Sequence, residues 1–300
     1  MSAHVVVGTN GSASAGRAVR WAASAAERLG VVLLVVLVLE QQDSGGVRSA
    51  GGTQTLIRAE ATARVGHPGL SIQRRLAYGD VVTQLARASE ATVLIVLGTD
   101  RGPQQTRTSP YGALAARLVT SAPCPVAVIP AREPGPGATL VVGIDDDVQA
   151  TPVLAVAIDV AAWSGSSLDL VHAWKPAPPF LADVGPEEQH PPLGVSDAMT
   201  DIITRTFARK SDLPAGVELR VELVVGGAVD ALCSAAQHAS LLVIGSHGRH
   251  VLASLALGSV SRSLLSLMPC PLLIVPRSAS DARLVPRPGP SEGPSVAATG

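Results

Sequence analysis

A chain of 300 residues with 47% hydrophobic side chains and a formal net charge of −1 holds enough apolar material for two domains or one large one. Aromatic residues are only 2%, too few for the stacking platforms of single-stranded nucleic-acid binders, and the near-neutral balance argues against a phosphate-backbone binder. Cys124, Cys233 and Cys270 are odd in number and far apart, which excludes a disulfide framework or a Cys/His metal spacing and fits a reducing compartment.

In chain order, the first strand is expected over residues 4–8, followed by the turn Asn10-Gly11-Ser12. Ala18, Trp21, Ala22, Ala25 and Leu29 then recur at helical spacing, with Gly30 where a helix C-cap falls. The run 31–39 is wholly apolar but about half the ~20 residues needed to cross a bilayer, so it reads as a buried parallel strand. No basic segment leads into an apolar stretch at the start, so no signal peptide is read, and a cytoplasmic protein without membrane partners is expected. Strands follow at 70–78, 92–98 and 125–130, and then Ala131-Arg132-Glu133-Pro134-Gly135-Pro136-Gly137 reads as a linker.

Beyond that linker the pattern repeats. Val5-Val6-Val7-Gly8-Thr9-Asn10 returns as Leu140-Val141-Val142-Gly143-Ile144-Asp145, and Tyr78-Gly79-Asp80 is answered by Val225-Gly226-Gly227. Leu97-Gly98-Thr99 returns as Ile244-Gly245-Ser246, and Pro123-Cys124-Pro125 as Pro269-Cys270-Pro271. Four matches in one order mark an internal duplication. Strands in the second copy are expected at 139–144, 167–174, 217–225, 240–245 and 271–275, with a helix through Pro152, Leu154, Ile158 and Ala161. The Pro-rich span 175–198 has no counterpart and reads as an inserted loop, and residues 277–300 read as a disordered tail. The expected fold is α/β: two tandem doubly wound domains, 1–130 and 138–276, each a five-stranded parallel sheet flanked by helices. The matching apolar edges near the fifth strands predict that the copies pack as a pseudo-twofold pair.

In such sheets ligands collect at the carboxyl ends of the strands, near the point where strand order reverses. After the fourth strand of the second copy stand Gly245, Ser246, His247, Gly248 and Arg249, then Gly258, Ser259, Val260 and Ser261, a G-x2-G-x9-G-S spacing. Glycines let backbone N–H groups approach an anion, a helix N-terminus adds its dipole, and Ser259 and Ser261 offer hydroxyl donors. A glycine turn followed by a capped helix accounts for the same spacing.

With Asp145 after the first strand and Pro269-Cys270-Pro271 before the fifth, this segment resembles the universal stress protein family, over both copies. The resemblance implies a tandem member that binds ATP, alone or with Mg²⁺, and acts as a regulatory protein of the stress response through conformation or partner choice. It assigns nucleotide contacts to Gly143, Asp145, Ala173, Gly245, Ser246, His247, Gly248, Arg249, Gly258, Ser259, Val260 and Ser261. The copy departs from the family at Asp146-Asp147, read as solvated loop residues, with a share in holding Mg²⁺ as the alternative. The first copy is poorer: it offers Gly8, Asn10, Val38, Gly98, Gly102 and Gly112, but Asn10 replaces the aspartate and Ala113 the hydroxyl. One good site and one degraded site follow from the resemblance, with a homodimer and an unidentified protein as further partners.

A slow ATPase and a ligand-free assembly module are the competing functions. No P-loop run holds Lys175 or Lys210, the chain's two lysines, and no catalytic residue is assigned. His172 reads as a hydrogen-bonded core histidine, His247 with His250 as structural rather than metal-binding, Trp21 and Trp163 as core at similar places in the two first helices, and Cys124 and Cys270 as buried hydrophobes.

Overall fold

A computed structural model describes residues 3–40, 47–88, 92–99, 110–130, 138–145, 150–175, 197, 200–204, 214, 216–246, 257–279 and 284. The first half runs β1 (His4–Gly8), α1 (Ala13–Leu29), β2 (Val32–Leu39), α2 (Val47–Arg64), β3 (Ile72–Tyr78), α3 (Val81–Arg87), β4 (Thr92–Gly98), α4 (Pro110–Ser121) and β5 (Val126–Ile129). The second runs β6 (Thr139–Gly143), α5 (Ala150–Ser164), β7 (Ser167–Trp174), β8 (Leu219–Val225), α6 (Ala228–Ala235), β9 (Leu241–Gly245), α7 (Ser259–Leu267) and β10 (Leu272–Val275). All ten expected strands are present, with ends moved by no more than two residues.

The strands form one sheet in the order β3-β2-β1-β4-β5-β10-β9-β6-β7-β8. Every neighbouring pair is parallel except β5 with β10, which run antiparallel with Ala127 opposite Leu273. The two five-stranded sheets thus join edge to edge through their fifth strands, as the apolar character of those edges predicts. Because direction reverses at that joint, the carboxyl ends of the two halves' strands point to opposite ends of the sheet. β1, β2, β6 and β9 are buried along nearly their whole length because helices cover both faces, which removes the apolar/polar alternation.

Local chemistry explains the helices. Ser12, in extended conformation, opens α1, and its Oγ accepts the Ala15 N–H at 3.2 Å. Ala18, Val19, Ala22, Ala23, Ala25 and Ala26 are buried at spacings of three and four, while Arg20, Glu27 and Arg28 face solvent. Gly30 ends the helix at φ 65°, a left-handed conformation that glycine adopts without a Cβ penalty. α5 differs: every residue from Pro152 to Ala161 is buried. A helix apolar on all sides needs cover on its outer face as well, and fully buried Ile202 and Leu284 share its apolar cluster.

Leu284 corrects the reading of the tail. The ordered chain does not stop at residue 276: Ser278 donates to the Ala122 carbonyl of the first half at 3.0 Å, Ala279 is buried, and the Leu284 N–H donates to Asp159 Oδ2 of the second half at 2.9 Å. At Leu284 one buried side chain and one hydrogen bond to a carboxylate hold the chain, and a Pro-rich composition gives no hint of either. The inserted span 175–198 lies outside the described residues except for 175 and 197.

The tryptophans also sit differently from expectation. Gly30 corresponds to Gly165, so Trp21 corresponds to Val156, and Trp163 to Arg28. The two rings instead meet each other across the joint, edge to face, with centroids 6.3 Å apart and planes at 74°. The Arg28 guanidinium lies 5.8 Å from the Trp163 ring centroid and donates to the Trp163 carbonyl.

Candidate functional site

In each half the strand order reverses at one place, between β1 and β4 and between β6 and β9. The first half has a pocket of about 150 Å³ there, and Gly8, Asn10, Val38 and Gly98 all line it. Four of the six first-copy candidates therefore meet in space. Gly102 lies outside the described residues, and Gly112 falls in α4. The remaining wall joins Thr9, Ser12 and Ser14 to an apolar side made chiefly of Val36, Leu85, Leu97 and Leu114.

The polar groups of this pocket are largely spent on their own loop. Asn10 Oδ1 accepts the Ser12 N–H at 3.0 Å, Thr9 Oγ1 accepts the Gly11 N–H at 3.2 Å, and the Ser12 and Ser14 hydroxyls share a bond of 2.9 Å. Gly98 has a structural reason to be glycine. A Cβ there would stand 2.4 Å from the Ser14 carbonyl oxygen and 2.8 Å from the Ala15 nitrogen, so the start of α1 rests on the bare backbone of β4.

In the second half, Gly143 ends β6 and Asp145 follows, exposed. The intervening Ile144 is held from both sides: its N–H donates to the Val171 carbonyl at 3.1 Å, and its carbonyl accepts His172 Nδ1 at 2.9 Å. A carbonyl only accepts, so His172 carries its proton on Nδ1. The reading of His172 as a buried, hydrogen-bonded histidine is borne out, and Ala173 follows it in β7, half-buried.

The two ends of the glycine segment are sewn together. The Gly258 N–H donates to the Ser246 carbonyl at 2.8 Å, and Ser261 Oγ donates to the Gly245 carbonyl at 2.7 Å. Ser246 is almost fully buried, and its Oγ accepts the Arg277 N–H at 3.1 Å, a link to the chain after β10 that no motif announces. These bonds set the N-terminus of α7, capped by Gly258 without a side-chain bond, beside the end of β9. Ser259 is exposed in its first turn, where backbone N–H groups have no intrahelical partner. Of the two expected hydroxyl donors, the buried Ser261 has its proton committed to the Gly245 carbonyl, while Ser259 stays exposed. Val260 is half-buried, and His247, Gly248, Arg249, Asp146 and Asp147 lie outside the described residues.

Burial pushes the Cys124 and Cys270 thiols, each two residues before a fifth strand, up to about 12, so at neutral pH both are inert. Among the described residues no group of three His, Cys, Asp or Glu side chains is arranged to hold a metal ion, and no helix is long and apolar enough to cross a membrane.

The geometry defines a class: a tandem, doubly wound α/β chain with one switch point in each half. The universal stress protein family model matches residues 1–130 and 138–276, so the chain belongs to that family, with two such units in tandem. It is 28% identical over 307 residues to a universal stress protein of Mycobacterium bovis, across 90% of this chain and 94% of that one. It is 29% identical over 300 residues to one of Mycobacterium tuberculosis, across 91% and 97%. The crystal structure of a universal stress protein from Archaeoglobus fulgidus shares the fold at a TM-score of 0.67 and 17% identity, covering 91% of this chain and 98% of that one.

Proposed function

We propose that this member of the universal stress protein family is an ATP-binding regulatory protein whose working site is in the second half. The observation that carries the reading is the pair of bonds from Gly258 to Ser246 and from Ser261 to Gly245, which sets the open first turn of α7 at the mouth of the β6/β9 switch point. Free N–H groups, the helix dipole and the Ser259 hydroxyl suit phosphate oxygens, and Asp145 stands after β6 to meet the nucleoside. Bound nucleotide acts by biasing conformation or partner choice.

The first half carries a different emphasis. Its pocket is uncharged, with the Asn10 carbonyl already engaged, which suits the role of an assembly partner better than that of a second ATP site.

Mass spectrometry of small molecules released by denaturing the purified full chain tests the ligand, and calorimetric titration of ATP tests the site. Ser259→Ala should weaken binding about 10–150-fold, the worth of one hydrogen bond to a charged group. Gly248→Val should abolish it, whereas Ala113→Ser should leave the second site unchanged. Unaltered affinity in Gly248→Val, with the fold verified by circular dichroism, would reduce the glycine segment to a structural turn.

A further inference from the structure

On the outer face of α1, far from the pocket, three side chains stand in line. Ser24 Oγ lies 3.0 Å from His67 Nε2, and His67 Nδ1 lies 2.6 Å from Glu27 Oε2. Ser24 is nine residues beyond the pocket-lining Ala15, about 14 Å along the helix axis at ~1.5 Å per residue. We propose that Ser24, His67 and Glu27 form an acyl-transfer relay, with Ser24 as an activated nucleophile toward small activated carboxylic esters.

Proton placement follows from the bonds. A carboxylate only accepts, so the Nδ1 facing Glu27 carries the imidazole proton. In the neutral ring Nε2 is then the acceptor, and the Ser24 hydroxyl donates to it, the polarity in which histidine acts as general base toward serine. The competing acceptor, the Arg20 carbonyl one turn back, is farther away at 3.3 Å. The parts are held rigidly. Ser24 and Glu27 are three residues apart on one helix, and His67 sits in a turn closed by its N–H to the Arg64 carbonyl (3.1 Å) and by the Leu70 N–H to its own carbonyl (3.2 Å). Ser24 is half-buried, the His67 side chain is 18% exposed and that of Glu27 46%, so a small reagent reaches the line.

In the reaction Ser24 Oγ bonds to the carbonyl carbon of the ester and its proton passes to His67 Nε2. The carbon–oxygen bond to the leaving group breaks, the alcohol or phenol departs with that proton, and an acyl-serine remains. Ser24 lies mid-helix with neighbouring amides spent in the helix ladder, so no oxyanion hole adjoins it among the described residues. The absence of even one such donor typically costs a factor of about 10²–10³, which limits the relay to esters with good leaving groups and to stoichiometric acylation. Glu27 is a positioning residue that fixes the tautomer.

Incubating the full-length protein with p-nitrophenyl acetate and mapping acetylated peptides by mass spectrometry is the test. Acetyl-Ser24 is expected, absent in Ser24→Ala and formed at least ~100-fold more slowly in His67→Gln, the general-base contribution. Glu27→Gln should slow labelling too, and should erase the downfield proton resonance of the Nδ1–H···Oε2 bond. If His67→Gln fails to fold by circular dichroism, Glu27→Gln carries the comparison. Acetylation confined to Lys175, Lys210 or His67, or Ser24 labelled equally fast without its base, overturns the proposal.

Discussion

α1 and α5 occupy equivalent places in the two halves, yet one is a surface helix and the other an interior one. α1 shows an alanine-lined inner face and a charged outer face, whereas Asp159 is the sole charged residue of α5 and is itself buried. Through the Gly30–Gly165 correspondence, Asp159 stands where the first half has Ser24. At this shared position each helix is fastened to a later stretch of chain, α1 to His67 and α5 to the Leu284 backbone. The duplicated frame has thus kept its core and exchanged its cladding: polar side chains over the first half, buried chain over the second.

The largest effect is expected at Gly98. With the Ser14 carbonyl 2.4 Å from any added Cβ, Gly98→Val should cost about 4 kcal/mol by forcing α1 off β4. Urea denaturation of the full chain measures it, and a loss below ~1 kcal/mol would show that the contact gives way easily. Next is the cladding itself. Leu284→Ala removes a fully buried leucine and should destabilise the second half by about 3 kcal/mol, lowering its thermal transition in calorimetry. Little change would mean that α5 is covered without this segment.

The smallest effect is expected at the start of α3. Asp80 caps it by accepting from the Thr83 N–H and Oγ1, both at 2.9 Å, and from Arg117 at 3.1 Å, whereas the equivalent Gly227 caps α6 with no side chain. The Thr83 backbone bond, then the Thr83 hydroxyl and Arg117, hold the Asp80 carboxyl below its ordinary 3.8. A carboxyl lowered on folding stabilises above its unfolded pKa, and that gain is lost as pH falls through the folded value. Asp80→Asn should therefore melt slightly below the parent at pH 6, with the gap closing below pH ~4. A gap that persists at pH 2 would point to a cause other than the charge.

Much of this architecture was legible in the residues. Buried parallel strands write themselves as continuous Val/Leu/Ile runs, and the duplication supplied each boundary twice, so the ten strands and the edge pairing could be anticipated. The glycine segment was legible as a motif but not in its mechanics. Spacing places Ser261 among the donors, and only the folded chain shows its hydroxyl turned back onto Gly245. Ser24 and His67 are 43 residues apart with no pattern between them, and they meet because the turn before β3 crosses α1. Leu284 was hidden by its prolines, since composition averages over neighbours while burial is decided one side chain at a time.

The antiparallel seam between β5 and β10 changes how the molecule responds to dilution. Two separate subunits joined by such a strand pair would part once their concentration fell below the dissociation constant. Here the partners are joined covalently through residues 131–137, and a short tether holds them at an effective concentration of the order of millimolar whatever the abundance of the protein. Scarcity in the cell therefore leaves this pairing intact, and both ends of the ten-stranded sheet are always delivered together, in a ratio of one to one.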